Sequence, residues 1–300
     1  MNDYLLALIL GIIEGLTEFL PVSSTAHLRI AEALLHISLS DGYWKMFSIV
    51  IQLGAILCLP VYFWGHIVKL FSTFPRGSHR DRTIFTHPLG LVALATVVTG
   101  IPSFTLLKVI GKNLENLRVM GAALLIGGIV MWIIDVQKAP WEKAGQGAKD
   151  SPIHTWRMDD MGSAQALWIG ACQILSAVFP GTSRSMSTIA GGQLWGMSRA
   201  AALEFSFFLS MPTMALATGL TLWKSVMGKS GNAIGVSQID AHQWVLLAIG
   251  FFVSFIIGYA SVAWFMSWVR RRGFALFALY RIALGTAVLV LLHAGKLAAS

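Results

Sequence analysis

Charge is scarce in this chain: Asp, Glu, Lys and Arg together make up 12% of its 300 residues, against about a quarter in a soluble globular protein. With 56% of the residues hydrophobic, that scarcity excludes a soluble domain of any size and points into a membrane. Cysteine is almost absent. Cys58 and Cys172 lie inside apolar runs without CxxC spacing, so neither a disulfide framework nor a zinc site is expected and both read as packing residues. No Lys or Arg precedes the first apolar run, which follows Met1-Asn2-Asp3. A cleavable leader needs such a basic start, so residue 1 is expected to stay in the mature protein. The net charge of +8 would suit nucleic acid, but Lys and Arg fall in short loops beside apolar runs, where membrane topology explains them better.

Long apolar stretches are what the chain does have. A hydrocarbon core of about 30 Å needs roughly 20 residues of helix, and six runs meet that length, near Trp44 to Trp64, Pro88 to Leu107, Leu117 to Ile134, Ala200 to Leu222, Trp244 to Trp268 and Phe274 to Leu292. Two further stretches, 4–35 and 164–195, are broken midway by Pro21-Val-Ser-Ser-Thr and by Pro180-Gly-Thr-Ser-Arg-Ser. Each reads as a re-entrant helical hairpin. Broken backbone at membrane depth is tolerated only where protein or a wet cavity satisfies it, so two such turns mark a site.

The polar segment 135–163 divides the chain into a first repeat, 1–134, and a second, 164–300, each a broken hairpin followed by three spans. Glu14 lies seven residues before Pro21 as Gln173 lies seven before Pro180, and Phe47-Ser48-Ile49 echoes Phe205-Ser206-Phe207. A hairpin plus three spans reverses side, so the second repeat should be inverted, as in transporter folds with a midplane site. The expected fold is thus an all-α polytopic membrane protein of two inverted repeats. Lys69, Arg76, Arg80, Arg82, Lys138, Lys143, Lys149, Arg157, Arg199 and Arg270 to Arg272 fall on one side of this topology, and Lys45, Lys108, Lys112, Arg118, Lys224, Lys229 and Lys296 on the other. The richer side is assigned to the cytoplasm, which puts both termini outside it.

Glu14 and Glu18 stand four apart in the first hairpin helix, hence on one face. Like charges there repel and are costly to desolvate, so a metal ion or an arginine should compensate them, unless they simply face water at the end of a short helix. Ser23, Ser24, Thr25 and His27 open the second helix of the hairpin, where free N–H groups and the helix dipole favour phosphate. The bland alternative is that these hydroxyls are N-caps. His27, beside two intramembrane glutamates, suits acid–base work. In the second turn Gly181 lets backbone approach a ligand, Thr182, Ser183 and Ser185 supply hydroxyls, and Arg184 needs an anionic partner, either a diphosphate or Glu14 or Glu18.

At these residues the sequence resembles the bacterial undecaprenyl-diphosphate phosphatase family of the bacitracin-resistance type, over nearly the whole chain. Two acidic residues four apart leading into Pro-Val-Ser-Ser-Thr-Gly-His appear as Glu14, Glu18 and Pro21 to His27, with Ala26 in place of the usual Gly. Pro-Gly-x-Ser-Arg-Ser appears unbroken. Met186-Ser187-Thr188 stands where many members have Gly-Ala-Thr, retaining Thr188, and Phe205-Ser206-Phe207, Pro212 and Tyr280-Arg281-Ile282 complete the set.

The resemblance implies an inner-membrane diphosphatase that recycles the lipid carrier of cell-wall synthesis, its site open to the periplasm and dependent on a divalent cation, Mg2+ or Ca2+. Its substrate would be a polyprenyl diphosphate, with a homodimer as an admissible assembly. Glu14 and Glu18 are expected to hold the metal, and Arg184 and Ser183 with the helix N-termini to grip the diphosphate. Either Ser24 attacks with His27 as base, or His27 attacks, or water does. Arg281 is expected either to touch phosphate or to form a structural pairing. Two rivals stand beside this reading. One is a flippase of undecaprenyl phosphate, and the other is the acid-phosphatase superfamily of lipid phosphatases, whose further His and Lys-rich elements are missing.

Overall fold

In a computed structural model of the chain, residues 2–37, 42–77, 82–113, 116–226 and 239–295 are described. They hold twelve α-helices and no named strand: α1 (Asp3–Thr17), α2 (Ser24–Leu34), α3 (Gly42–Tyr62), α4 (Trp64–Thr73), α5 (Pro88–Thr105), α6 (Leu107–Asn113), α7 (Leu117–Ala144), α8 (Ser163–Val178), α9 (Arg184–Leu194), α10 (Arg199–Val226), α11 (Ala241–Arg272) and α12 (Ala275–His293). Six of them, α3, α5, α7, α10, α11 and α12, are long and apolar enough to cross a bilayer, and they match the six runs read from the sequence. Outward-facing Ile101, Phe104, Ile126, Phe252 and Ile256 are each more than half exposed, which suits a lipid solvent rather than water. The chain is a multi-pass membrane protein.

Each of the two stretches broken at proline forms a helix, a turn and a second helix, α1 with α2 and α8 with α9. One boundary differs. The polar segment expected to start at Asp135 continues α7 as helix to Ala144. Asp135 is buried there by an ion pair with Arg199, the residues that follow are mostly good helix formers, and the helix stops only at Gly145, whose φ of 80° is left-handed. The short helices α4 and α6 fall in stretches read as connections. Of the loop cations used for orientation, Arg80, Lys229 and Lys296 lie outside the described residues, as do the side chains of Lys108 and Lys112.

The chain divides into two compact units, each drawing on both halves of the sequence. The first comprises Met1–Phe19, Ser24–Phe63 and Ser210–Ala263. Its core joins Leu6, Leu10, Leu28, Phe47, Ile51 and Leu246. Close approach of α1 to α11 requires small residues, because a Cβ on Gly15 would lie 2.8 Å from the Ser254 carbonyl oxygen. Ser254 Oγ in turn donates to the Ile51 carbonyl at 2.7 Å, tying α11 to α3.

The second unit comprises Leu20–Ser23, Trp64–Leu209 and Trp264–Ser300. Here α7 and α12 pack through glycine: a Cβ on Gly128 would meet the Ala278 carbonyl oxygen at 2.9 Å and one on Gly285 the Leu125 nitrogen at 2.6 Å. Asp135 anchors three elements, accepting from Arg199 Nε at 2.7 Å and from the Phe274 and Ala275 amides at 3.0 Å, so it also caps the start of α12. At the start of α5, His87 Nδ1 accepts from the Leu89 amide at 3.2 Å. Burial first, and Arg82 second, hold that imidazole below its ordinary pKa, which keeps the acceptor nitrogen unprotonated.

Candidate active site

α1 presents Leu6, Ala7, Leu10, Gly11, Glu14 and Gly15 as one buried face, so Glu14 occupies a position that the helical period reserves for the core. It is 1% exposed, and Glu18, which ends the helix, is 8% exposed. The Glu18 amide donates to the Glu14 carbonyl at 2.9 Å, keeping the two glutamates in helical register. Beyond the turn, Ser24 is the first residue of α2, and its Oγ donates to Glu18 Oε2. Glu18 is thereby held at the N-terminal end of α2, where a carboxylate gains about 0.3–1 kcal/mol from the helix dipole. Thr25 and His27 follow on α2, both half-buried.

The sequence reading passed over one more polar group of the first unit. Glu32, 2% exposed, accepts from Arg29 Nη1 at 2.9 Å and from Ser48 Oγ at 3.1 Å. Its signal was a carboxylate inside the hairpin, and its partner Ser48 belongs to the Phe-Ser echo. In the second unit the echo's Ser206 Oγ lies 2.6 Å from Thr188 Oγ1. In both halves, therefore, the serine of this motif bonds back to the helix that follows the turn.

The turns themselves share a backbone feature that composition does not reveal. Ser23, just before α2, has φ 73°, and Ser183, just before α9, has φ 69°. Both are left-handed at a non-glycine residue, a conformation that costs of order 1–3 kcal/mol and clusters at functional sites. Gly181 has φ 96°, and a Cβ there would sit 2.5 Å from the Met120 carbonyl oxygen, so glycine is required twice over. Thr182 is half-buried. Ser183 Oγ accepts from the Met186 amide at 3.4 Å and lies 3.0 Å from Ser185 Oγ.

Residues Leu20–Ser23 of the first turn belong to the same compact unit as the second turn, and hydrogen bonds hold the two together. Ser185 Oγ donates to the Leu20 carbonyl at 3.0 Å. Arg281, fully buried, donates from Nη1 to the Pro21 carbonyl at 3.0 Å and from Nη2 to Gly181 at 3.0 Å and Ala123 at 3.1 Å. Gly127 makes room for this guanidinium, since a Cβ there would lie 2.5 Å from Nη2. Arg281 thus ties three backbone carbonyls together. Thr188 likewise spends its hydroxyl on the Arg184 carbonyl at 2.9 Å and on Ser206. Arg184 itself opens α9 and is half-buried.

The first unit thus carries two buried carboxylates, hydroxyls and an imidazole, and the second carries hydroxyls and a guanidinium at its turn, residue types suited to a phosphorylated substrate. The family model described as bacitracin resistance protein BacA matches residues 7–287, a span containing every one of these groups. The chain belongs to the BacA family. Its relatives include undecaprenyl-diphosphatase of Koribacter versatilis, 63% identical over 96% of this chain and 98% of the relative. Another from Rhizobium etli is 39% identical over 99% of this chain and all of the relative. One from Thermus thermophilus is 38% identical over 93% of each. Membership in the BacA family thus rests on the whole length, turns and spans together.

The donor set of this BacA member fits a hard cation. Among the described residues no three His, Cys, Asp or Glu side chains gather into a metal cage. Mg2+ is usually held by one or two carboxylates together with substrate phosphates rather than by a cage, and Glu14 and Glu18 offer the two.

Proposed function

We infer that this chain hydrolyses undecaprenyl diphosphate to undecaprenyl phosphate and inorganic phosphate, returning the lipid carrier to peptidoglycan synthesis and conferring bacitracin resistance. The observation that carries this reading is full-length similarity to relatives that bear the diphosphatase name, over a match that includes Glu14 through Arg281.

Glu14 and Glu18 would hold a divalent cation, Mg2+ or Ca2+, which would supply charge neutralisation at the diphosphate. Arg184 takes phosphate oxygens in its planar fork, with Ser183, Ser185, Thr25 and the N–H groups of the turns as further donors. Ser24 is the favoured nucleophile, supported by its hydrogen bond to Glu18. Its Oγ forms a bond to the terminal phosphorus as the bond from that phosphorus to the bridging oxygen breaks. His27 takes the hydroxyl proton as base, and undecaprenyl phosphate leaves. Water then attacks the phosphoserine phosphorus as its bond to Ser24 Oγ breaks, His27 returns the proton to that oxygen, and inorganic phosphate departs.

The prenyl chain lies in a cavity of about 640 Å³ beside the second turn, where Thr182 and Met186 adjoin an apolar wall of Ile126, Leu175, Phe179 and Leu194. That volume falls within the range of about 300–1,000 Å³ usual for ligand sites. The protein sits in the inner membrane as an inverted repeat whose site faces the periplasm, an orientation that the loop charges support.

Rapid quench with substrate labelled on its terminal phosphate tests the chemistry. Label on Ser24 is expected. Label on His27 would make the imidazole the nucleophile, and no labelled enzyme at any time would assign the attack to water.

A further inference from the structure

A polar cavity of about 470 Å³ lies in the second unit, and no residue of either turn lines it. Its wall includes His66 and Lys69 of α4, Arg157 and Asp159 of the segment before α8, Glu204 of α10 and Arg270 of α11. A smaller cavity of about 260 Å³ shares His66, Lys69, Arg157 and Asp159 with it and adds Arg82 and Asp160. The carboxylates of the larger cavity are already engaged. Glu204 lies 3.0 Å from His66 Nδ1, and Asp159 lies 3.6 Å from Arg157. Lys69 and Arg270 form no ion pair among the described residues, so the cavity wall carries cations in excess of its free anions.

Helix α4 explains how such a cavity persists beside a bilayer. Trp64, Val68 and Phe71 stand at i, i+4 and i+7 and are 65%, 48% and 68% exposed, forming one apolar face. His66, Lys69 and Thr73 stand on the opposite face and line the cavities. That pattern is the signature of a helix lying in the membrane interface with its polar side toward water. Lys69, Arg82, Arg157 and Arg270 also all belong to the loop set that the positive-inside rule assigns to the cytoplasm.

We propose that this cavity is a phosphate-binding site separate from the catalytic turns, in which Lys69, Arg157 and Arg270 grip a phosphate group. The group comes either from a soluble phosphate or diphosphate, or from the head of an anionic phospholipid in the adjacent leaflet; the chemistry of recognition is the same for both. The proposal stands independently of the diphosphatase reading.

Binding to the purified full-length protein in zwitterionic nanodiscs provides the test. Isothermal titration with inorganic phosphate and with diphosphate covers the soluble source, and native mass spectrometry with phosphatidylglycerol against phosphatidylcholine covers the lipid source. Lys69→Gln/Arg270→Gln is compared with wild type, with Arg184→Ala to remove the catalytic site, and with Lys69→Arg/Arg270→Lys as a folding control. The expected result is binding that survives Arg184→Ala and the conservative pair but weakens by about tenfold or more for each charge-assisted bond lost in the Gln pair. Phosphate release from substrate stays unchanged in the Gln pair. A heat with free phosphate that follows this pattern identifies a soluble ligand, and selective retention of phosphatidylglycerol that follows it identifies a lipid. Binding equal in wild type and the Gln pair, or absent with every probe, would overturn the proposal.

Discussion

Ser24 and Glu18, six positions apart in sequence, meet across the first turn. Removing the hydroxyl in Ser24→Ala takes away the nucleophile and leaves Glu18 buried, so kcat for phosphate release is expected to fall by at least ~100-fold with the fold intact. Steady-state release in detergent checks this. The two terminal nitrogens of Arg281 bind three backbone carbonyls. Arg281→Lys keeps the charge but loses the fork, leaving at least one buried carbonyl bare at about 1–3 kcal/mol. A thermal-melting curve is expected to show clear destabilisation, with activity falling alongside. The acidic pair, the hydroxyl row and the arginines were all legible in the sequence as chemistry-bearing residues. Their partners were not, because Arg281 reaches 260 residues back along the chain to Pro21, and no periodicity reports such a contact.

The two broken hairpins were the most legible elements, since proline within a hydroxyl-rich stretch interrupts an otherwise apolar helix and little else fits that pattern. What stayed hidden was the conformation of the break. Both turns place a serine at positive φ just before a helix, yet Ser23 follows its proline by two residues and Ser183 by three, so aligning the prolines misaligns the serines. Gly181→Ala forces a Cβ onto the Met120 carbonyl at a left-handed position. It is expected to lower both stability and activity, measured by melting and by phosphate release, whereas Ser183→Gly should leave the turn backbone unstrained. The extension of α7 was hidden for another reason: Asp135 looks like a loop residue until Arg199 and the start of α12 are placed around it. Asp135→Asn removes one charge of a buried pair and is expected to cost about 3–5 kcal/mol, seen as a large drop in melting temperature with phosphate release per folded molecule preserved.

At the scale of the molecule, hydropathy alone delivered six spans because lipid demands long uninterrupted helices, and the spans observed agree with it. Packing followed a different logic. Each compact unit takes helices from both halves of the sequence, joined through glycine contacts such as Gly15 against Ser254 and Gly285 against Leu125. Small residues mark close approach without naming the partner helix, so the pairing was beyond a reading of one sequence. Family membership supplies the substrate, and Glu18 and Arg184 are the residues proposed to act on it. The experiment to perform first is therefore phosphate release from undecaprenyl diphosphate by the purified protein, with and without a divalent cation, comparing wild type, Glu18→Gln and Arg184→Ala. Cation-dependent release in wild type that falls by ~100-fold or more in both variants is the expected outcome. A folded wild type that releases no phosphate yet moves undecaprenyl phosphate across vesicles would make the protein a lipid transporter instead.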